Sequence, residues 1–101
     1  MLQSKQDIIS SINQIARKYP LRSVALFGSI HTPDFSENSD VDIVVRFDED
    51  LDPLVRGESM MNFQIELEDA LHRKVDVINQ SYVFNPIMQA VVQEAVLIYG
   101  R

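Results

Sequence analysis

The stretch that decides the fold runs from Val24 to Phe47 and reads VALFGSIHTPDFSENSDVDIVVRF. Its first four residues, Val24–Phe27, form a short apolar run that predicts a buried strand and stops at the pair Gly28-Ser29. A polar connection follows as far as Ser39. The segment Val41–Val45 is rich in β-branched residues, which favour strands, so it predicts a second strand. The stretch therefore indicates two strands joined by a polar connection that opens with a glycine-serine turn.

Two aspartates, Asp40 and Asp42, stand two residues apart at the start of this second strand. Because strand side chains alternate between faces, both carboxylates point to the same side, with Val41 and Ile43 on the other. Adjacent carboxylates repel each other, and a divalent cation removes that repulsion. Magnesium prefers oxygen ligands and commonly takes one or two carboxylates together with substrate phosphates. The pair is therefore a candidate magnesium site.

A third acid, Asp76, lies between Val75 and Val77 in another strand-like run. If that strand is a neighbour of the second strand, Asp76 completes a cluster of three carboxylates. Gly28 permits close backbone approach, and the amides and hydroxyl at Ser29 can hold a phosphate. Three acids beside a phosphate-binding turn are typical of metal-assisted phosphoryl or nucleotidyl transfer.

Each of these signals also has a purely structural interpretation. Asp40 and Asp42 could be two solvated charges where a strand begins, and Asp76 could be an exposed strand residue. A Gly-Ser pair alone is compatible with any turn. The interpretation as a site depends on the joint occurrence of all three features, and a generic α/β domain with accidental acids stays open as the alternative.

The remaining pattern predicts three helices and one more strand. Ser4 and Asp7 resemble a capping box for a helix from about Lys5 to Tyr19. Asn85 and Pro86 are suited to cap and begin a last helix that continues to Tyr99, before a stop at Gly100. Between them lie a helix from Pro53 to about His72, whose inner face is predicted to hold Leu54, Met61, Ile65 and Leu71, and a strand at Val75–Ile78. This order predicts an α/β (α+β) two-layer domain with a small sheet.

Composition limits the class of protein. The 101 residues carry a net charge of −6 and are 46% hydrophobic, so one folded domain spanning residues 1–101 is expected. The acidic balance argues against direct nucleic-acid binding, and no apolar run reaches the length of a membrane span. There is no cysteine, so disulfides and thiolate chemistry are excluded. Without a signal-like N-terminus, a cytoplasmic protein is expected.

The spacing Gly28-Ser29, ten residues, then Asp40-x-Asp42 resembles the nucleotidyltransferase superfamily that includes DNA polymerase beta and kanamycin nucleotidyltransferase. Size and pattern are most similar to its minimal nucleotidyltransferases. The segments RKVDVI (Arg73–Ile78) and PIMQAVVQEAVLIYG (Pro86–Gly100) resemble the strand of the family's third acid and its closing helix. The resemblance implies a small mixed β-sheet packed with about four helices.

The same resemblance implies roles for individual residues. Gly28 and Ser29 would hold the β- and γ-phosphates of a nucleoside triphosphate, ATP being the expected substrate. Asp40 and Asp42 would bind two magnesium ions. Asp76 would bind one of these ions and help to activate a hydroxyl, which attacks the α-phosphate and releases pyrophosphate.

The sequence departs from the family pattern directly after Gly28-Ser29. Family members commonly continue with x-Ala-Arg-Gly, whereas this chain has Ile30, His31, Thr32 and Pro33. The departure removes a cation and a flexible glycine. We expect it to affect catalytic turnover more than metal binding. His31 could replace the missing donor or be a surface residue without a role. Arg46 lies in phase with the two aspartates and could reach a phosphate or form a structural salt bridge.

A domain of this size leaves little room for an acceptor site, so a partner is expected. Minimal nucleotidyltransferases are similar to antitoxins paired with HEPN-type helical toxins, which implies transfer of AMP to a hydroxyl of that toxin. Two alternatives stay open: a catalytically degenerate antitoxin that acts by binding alone, and a subunit that modifies a small molecule such as an aminoglycoside. Exposed apolar faces of the last helix could also mediate a homodimer or the interface with the toxin.

Overall fold

The computed structural model describes residues 4–100, which form three α-helices and a four-stranded sheet. None of the three helices in this range is long and apolar enough to cross a membrane. Two 3-10 turns, at Gly28–His31 and Gln80–Tyr82, complete the regular structure. The elements in chain order are α1 (Lys5–Ala16), β1 (Leu21–Phe27), β2 (Val41–Phe47), α2 (Pro53–Leu71), β3 (Val75–Asn79), α3 (Pro86–Gln93) and β4 (Val96–Gly100).

The sheet has the strand order β3-β2-β1-β4 and is mixed. β1 is antiparallel to both β2 and β4, whereas β2 and β3 are parallel. Because strand side chains alternate, Val41, Ile43 and Val45 lie in the core with α1 and α2, while Asp42 and Val44 lie on the opposite face. The predicted α+β class with a small mixed sheet is confirmed, with three α-helices and two short turns where about four helices were expected.

The N-terminal helix begins as its sequence predicts. Ser4 and Asp7 form a capping box, and Ile8, Ile12 and Ile15 are buried on one stripe. The helix ends at Ala16, three residues before the predicted end at Tyr19. The tyrosine instead reaches α2, where its ring meets Phe63 edge-on at a centroid distance of 5.4 Å. The residues after Ala16 form turns that lead to Pro20, which cannot continue a helix.

The predicted inner face of α2 is wrong for three of its four residues. Leu54, Met61 and Ile65 are 82%, 59% and 58% exposed. The buried residues are Phe63, Leu67 and Leu71, of which only Leu71 was predicted on this face, although Leu67 was placed beside it. This helix carries two apolar stripes on different sides, and a periodicity of 3.6 residues does not distinguish the stripe that faces the core from the one that faces solvent.

The last predicted helix is also too long. α3 has Asn85 as its cap and Pro86 as its first residue, as expected, but it ends at Gln93. Val96–Gly100 instead forms β4, which hydrogen-bonds to the free edge of β1, and Gly100 belongs to this strand. The apolar run fits either element by periodicity, and the edge of β1 supplies backbone partners that select the strand.

Replacing Phe63 should show which stripe of α2 holds the fold. Phe63 is fully buried, so Phe63→Ala is expected to lower the free energy of unfolding by about 3–5 kcal/mol. Ile65→Ala, on the exposed stripe, should change it by less than about 0.5 kcal/mol. Urea unfolding followed by circular dichroism measures both values. Equal losses for the two variants would contradict this assignment of the inner face.

Candidate functional site

Two of the predicted acids meet across neighbouring strands. The parallel register pairs Asp42 of β2 with Asp76 of β3, and both side chains are half-buried. Their neighbours Val41, Ile43 and Val75 are completely buried on the other face of the sheet. The core packing behind the two strands therefore holds the two carboxylates side by side on the open face.

The third acid, Asp40, lies just outside this pair. It directly precedes β2, is half-buried, and its charge acts on Asp42. Within residues 4–100, no group of three acidic or histidine side chains is arranged closely enough to hold a metal ion as it stands. The structure thus brings Asp42 and Asp76 together. Asp40 lies nearby, but the three carboxylates do not form one metal-binding cluster.

The environment of Asp42 raises its pKa above the ordinary value of 3.8. Burial is the largest cause, and the charge and hydrogen bonding of Asp76 and the charge of Asp40 add to it. Lys74 opposes the shift; its Nζ lies 3.7 Å from Asp76 Oδ1 in an exposed ion pair. A second positive charge between Asp42 and Asp76 would relieve the remaining repulsion, and carboxylate oxygens are the ligands that Mg²⁺ prefers. The donor set therefore fits a magnesium ion.

The glycine of the predicted phosphate-binding turn lies directly against Asp42. Gly28 has a φ of 81°, in the region that favours glycine, and a Cβ added there would be 2.5 Å from Asp42 Oδ2. Phe27, the last residue of β1, pairs with Asp42 across the antiparallel register. The end of β1 and the start of β2 therefore place the turn and the acidic pair in one location, and only glycine fits between them.

Ser29 stands at the start of the 3-10 turn that follows β1. Its carbonyl oxygen accepts bonds from the backbone N–H of Thr32 at 2.9 Å and from Thr32 Oγ1 at 2.8 Å, which fixes the turn. No side chain of the described residues caps the start of this turn. The first N–H groups of a helical turn have no partner within that turn, and N–H groups of this kind commonly bind anions.

Two further predicted residues do not join the acidic pair. His31 Nε2 lies 3.0 Å from the carbonyl oxygen of Leu26, and Nδ1 lies 3.1 Å from Lys5 Nζ. Donation from Nε2 and acceptance at Nδ1 satisfy both contacts, so the ring links α1 to the end of β1. Arg46 is exposed and pairs in register with Ser23, and it makes none of the ion pairs found in residues 4–100.

Sequence reasoning missed two charged residues near the site. Lys74 stands two positions before Asp76, so strand alternation alone places it on the same face. Glu94 follows α3, which sequence periodicity extends too far. Glu94 lines an open cleft of about 340 Å³ that begins at Gly28; its other lining residues are Phe27, His31, Val91 and Val96.

Comparison with known proteins identifies relatives of this chain. The family described as "Polymerase beta, Nucleotidyltransferase" matches residues 10–101. Two proteins of Methanocaldococcus jannaschii, each named "Putative protein adenylyltransferase", are similar along most of their length. One is 34% identical, with 85% of this chain and 92% of the relative covered. The other is 32% identical, with 88% of each chain covered.

Solved structures share the fold. A chain in a crystal structure of a toxin–antitoxin with AMP-PNP superposes with a TM-score of 0.71 at 25% identity, covering 92% of this chain and 73% of that chain. A chain in a complex of a tri-AMPylated Shewanella oneidensis HEPN toxin with an MNT antitoxin gives 0.66 at 26% identity, covering 96% and 73%. Together with the match over residues 10–101, these similarities confirm the resemblance seen in the sequence: the chain belongs to the polymerase beta nucleotidyltransferase family.

Proposed function

We propose that this protein is a metal-dependent nucleotidyltransferase that transfers AMP from ATP to a hydroxyl of a partner protein. The observation that carries the proposal is the contact of Gly28 with Asp42, with Asp76 beside it on the neighbouring strand. This arrangement combines a backbone turn suited to phosphate with carboxylates suited to Mg²⁺. The names of the relatives and the AMP-PNP in a similar structure support ATP and a protein acceptor.

In this proposal, the residues divide into two groups. Gly28 and Ser29 hold the β- and γ-phosphates, with Gly28 leaving room for the chain to approach them. Asp40, Asp42 and Asp76 hold magnesium, two ions being expected, which supplies positive charge to phosphate oxygens during transfer. Asp76 also helps to activate the acceptor hydroxyl by accepting its proton, while the hydroxyl oxygen bonds to the α-phosphorus and the bond to pyrophosphate breaks.

We further propose a HEPN-type toxin as the acceptor, with this chain acting as a single-domain antitoxin. Similar chains occur in toxin–antitoxin structures, one of them with a tri-AMPylated HEPN toxin. A second candidate is an antitoxin that acts by binding alone. Two observations favour it: the three acids are not closed into a metal-binding group in residues 4–100, and His31, Thr32 and Pro33 stand where family members commonly have Ala-Arg-Gly.

A transfer assay separates these functions. We expect that Mg²⁺ and α-phosphate-labelled ATP, incubated with the protein and a lysate of its source organism, will give a labelled protein. Asp42→Asn should reduce the label at least about 100-fold because a carboxylate for the metal is lost. Asp34→Asn, which alters an exposed acid of the polar connection, is the matched control and should label normally.

Each other outcome of this assay selects a different function. Label in the small-molecule fraction would indicate a small-molecule acceptor. Normal labelling by Asp42→Asn would show that the site is assigned wrongly. If no label forms although a control transferase is active, while the protein still neutralises its toxin, the binding-only antitoxin is correct.

The raised pKa of Asp42 makes the stability of the same variant depend on pH. A raised pKa means that the folded state favours the protonated acid, so ionisation destabilises the fold as the pH rises through the folded-state pKa. Asn mimics the protonated form, so Asp42→Asn should melt at a higher temperature than the wild type at pH 7. The difference should shrink as the pH falls and disappear at about pH 3, well below the ordinary pKa of aspartate, where Asp42 is protonated in both states. Thermal melts across this range measure it, and a less stable variant at pH 7 would contradict the electrostatic assignment.

Two glycine variants test the contact between the turn and the acid. Gly28→Ala introduces a methyl group where Asp42 Oδ2 lies and strains the backbone by about 1–2 kcal/mol, so it should abolish the increase in melting temperature caused by Mg²⁺ and AMP-PNP. At a ligand concentration of 100 times Kd, that increase corresponds to about 2.7 kcal/mol in the wild type.

Gly57→Ala is the matched control for this test. Gly57 lies in α2 with nothing within 4 Å of an added Cβ, so alanine should stabilise the protein by about 0.5–1 kcal/mol and leave ligand binding unchanged. An undiminished ligand-induced shift in Gly28→Ala would rule out the turn as part of the nucleotide site.

A further inference from the structure

The negative charge of this protein is concentrated in one segment. Residues 48–72, which comprise α2 and the turn before it, contain eight of the fifteen acidic residues and a single basic residue, Arg56. Their net charge is therefore −7, whereas the rest of the chain carries +1. The acids of this segment are Asp48, Glu49, Asp50, Asp52, Glu58, Glu66, Glu68 and Asp69. The overall charge of −6 thus comes from this segment, whose Glu66 pairs with Lys18 of the chain after α1 and whose Asp48 pairs with Arg22 of β1.

One face of α2 combines this charge with exposed apolar residues. Positions spaced by three or four residues share a side of a helix, and Leu54, Glu58, Met61, Ile65 and Asp69 follow that spacing. We call these five residues the outer stripe. Its three apolar members are each more than half exposed, and its two acids are exposed as well. The stripe therefore presents three exposed apolar side chains and two acids on one side of the helix.

Contacts to other elements lie beside the outer stripe and leave it uncovered. Glu66 accepts a hydrogen bond from the hydroxyl of Tyr19, which joins α2 to the end of α1. On the other side, Gln64 donates to the carbonyl oxygen of Val75, and Glu68 accepts from the Val75 N–H. Because these bonds and the inner residues anchor α2 in the fold, the apolar members of the outer stripe are not needed for it.

The outer stripe is also remote from the acidic pair. α2 covers the sheet face that carries the core, whereas Asp42 and Asp76 lie on the opposite face. A molecule bound to the outer stripe would therefore leave the candidate site open.

We propose that the outer stripe of α2 is a docking surface for a basic amphipathic helix of a partner protein. Apolar side chains of such a helix would pack on Leu54, Met61 and Ile65. Lysine or arginine residues along its edges would meet Glu58 and Asp69 and the field of the acidic segment, which accelerates encounter. A second copy of this chain fits less well, because it would bring a second segment of charge −7 against the first. The proposal does not depend on the proposed nucleotidyl transfer.

Designed peptides test this surface directly. The probe is a fluorescein-labelled amphipathic helix of about 20 residues with leucines along one face and lysines along both edges. One control peptide has glutamates in place of the lysines, and another has the same composition in scrambled order. Fluorescence anisotropy should show that the lysine-edged helix binds at least about tenfold more tightly than either control. Its binding should weaken as the salt concentration rises, since exposed charges are screened.

Variants of the protein locate the binding. Met61→Ser combined with Ile65→Ser should weaken binding of the lysine-edged helix at least about tenfold, because the apolar contact is lost. Glu58→Lys should shift the preference toward the glutamate-edged helix. Ile87→Ser is the matched control: Ile87 is 75% exposed but lies on α3, so binding should not change. Circular dichroism melts establish that each variant is folded.

Three results would overturn the proposal. The first is absence of binding by the lysine-edged helix, or equal binding by all three peptides. The second is binding that the Met61→Ser/Ile65→Ser variant leaves unchanged. The third is a wild-type dimer in light scattering that this variant converts to a monomer, because the occupant would then be a second copy of the chain.

Discussion

The parallel pairing of β2 with β3 is the interaction on which the rest of the structure depends. Strands that run in the same direction cannot be joined by a tight turn, so the chain must cross over a face of the sheet between them. α2, with 19 residues, makes that crossing. The same register that requires the crossing sets Asp42 beside Asp76 on the face that the helix does not cover. The candidate site and the acidic helix are thus two consequences of one strand pairing, on opposite sides of the sheet.

The acidic pair is held together against its own repulsion. Hydrophobic packing on the core side stabilises β2 and β3, where Val41, Ile43 and Val75 are completely buried. The strength of that packing does not depend on the charge of the two carboxylates. It therefore keeps them adjacent although burial and the neighbouring negative charges raise the pKa of Asp42. Lys74 compensates in part from the solvent side. The buried residues on the core face therefore stabilise the two strands, so the carboxylates are not needed for the fold and can bind a cation.

Local patterns in the sequence predicted the parts of the fold that local chemistry determines. The cap at Ser4, the cap at Asn85 and the alternation around Asp42 depend on neighbouring residues, and the structure confirms each of them. Two features depend on the whole fold, and the predictions made for them from the sequence are wrong. The two apolar stripes of α2 are equivalent in periodicity until the sheet selects one. The segment Val96–Gly100 becomes a strand because β1 offers an open edge.

In the candidate site, too, some features follow from local sequence and others depend on the whole fold. The turn at Gly28 and the position of Asp42 on the open face can be predicted from the sequence, whereas Asp40, predicted to share that face, directly precedes β2. The neighbouring position of Asp76 rested on a resemblance, because strand order is not encoded in spacing, and the register now supports it. The fit of Gly28 against the Asp42 carboxylate and the cleft that extends to Glu94 depend on how distant segments pack together, which spacing in the sequence does not encode.

The pairing of β4 with β1 has a consequence for how the protein is made. β1 precedes its second neighbour, β4, in the chain, so Val24 cannot pair with Tyr99 until the segment Val96–Gly100 has left the ribosome. During that interval, β1 exposes a row of backbone donors and acceptors that other chains can bind. Docking of β4 then covers this edge of β1, and a chain interrupted before Val96 would keep the edge of β1 exposed to pairing with other chains.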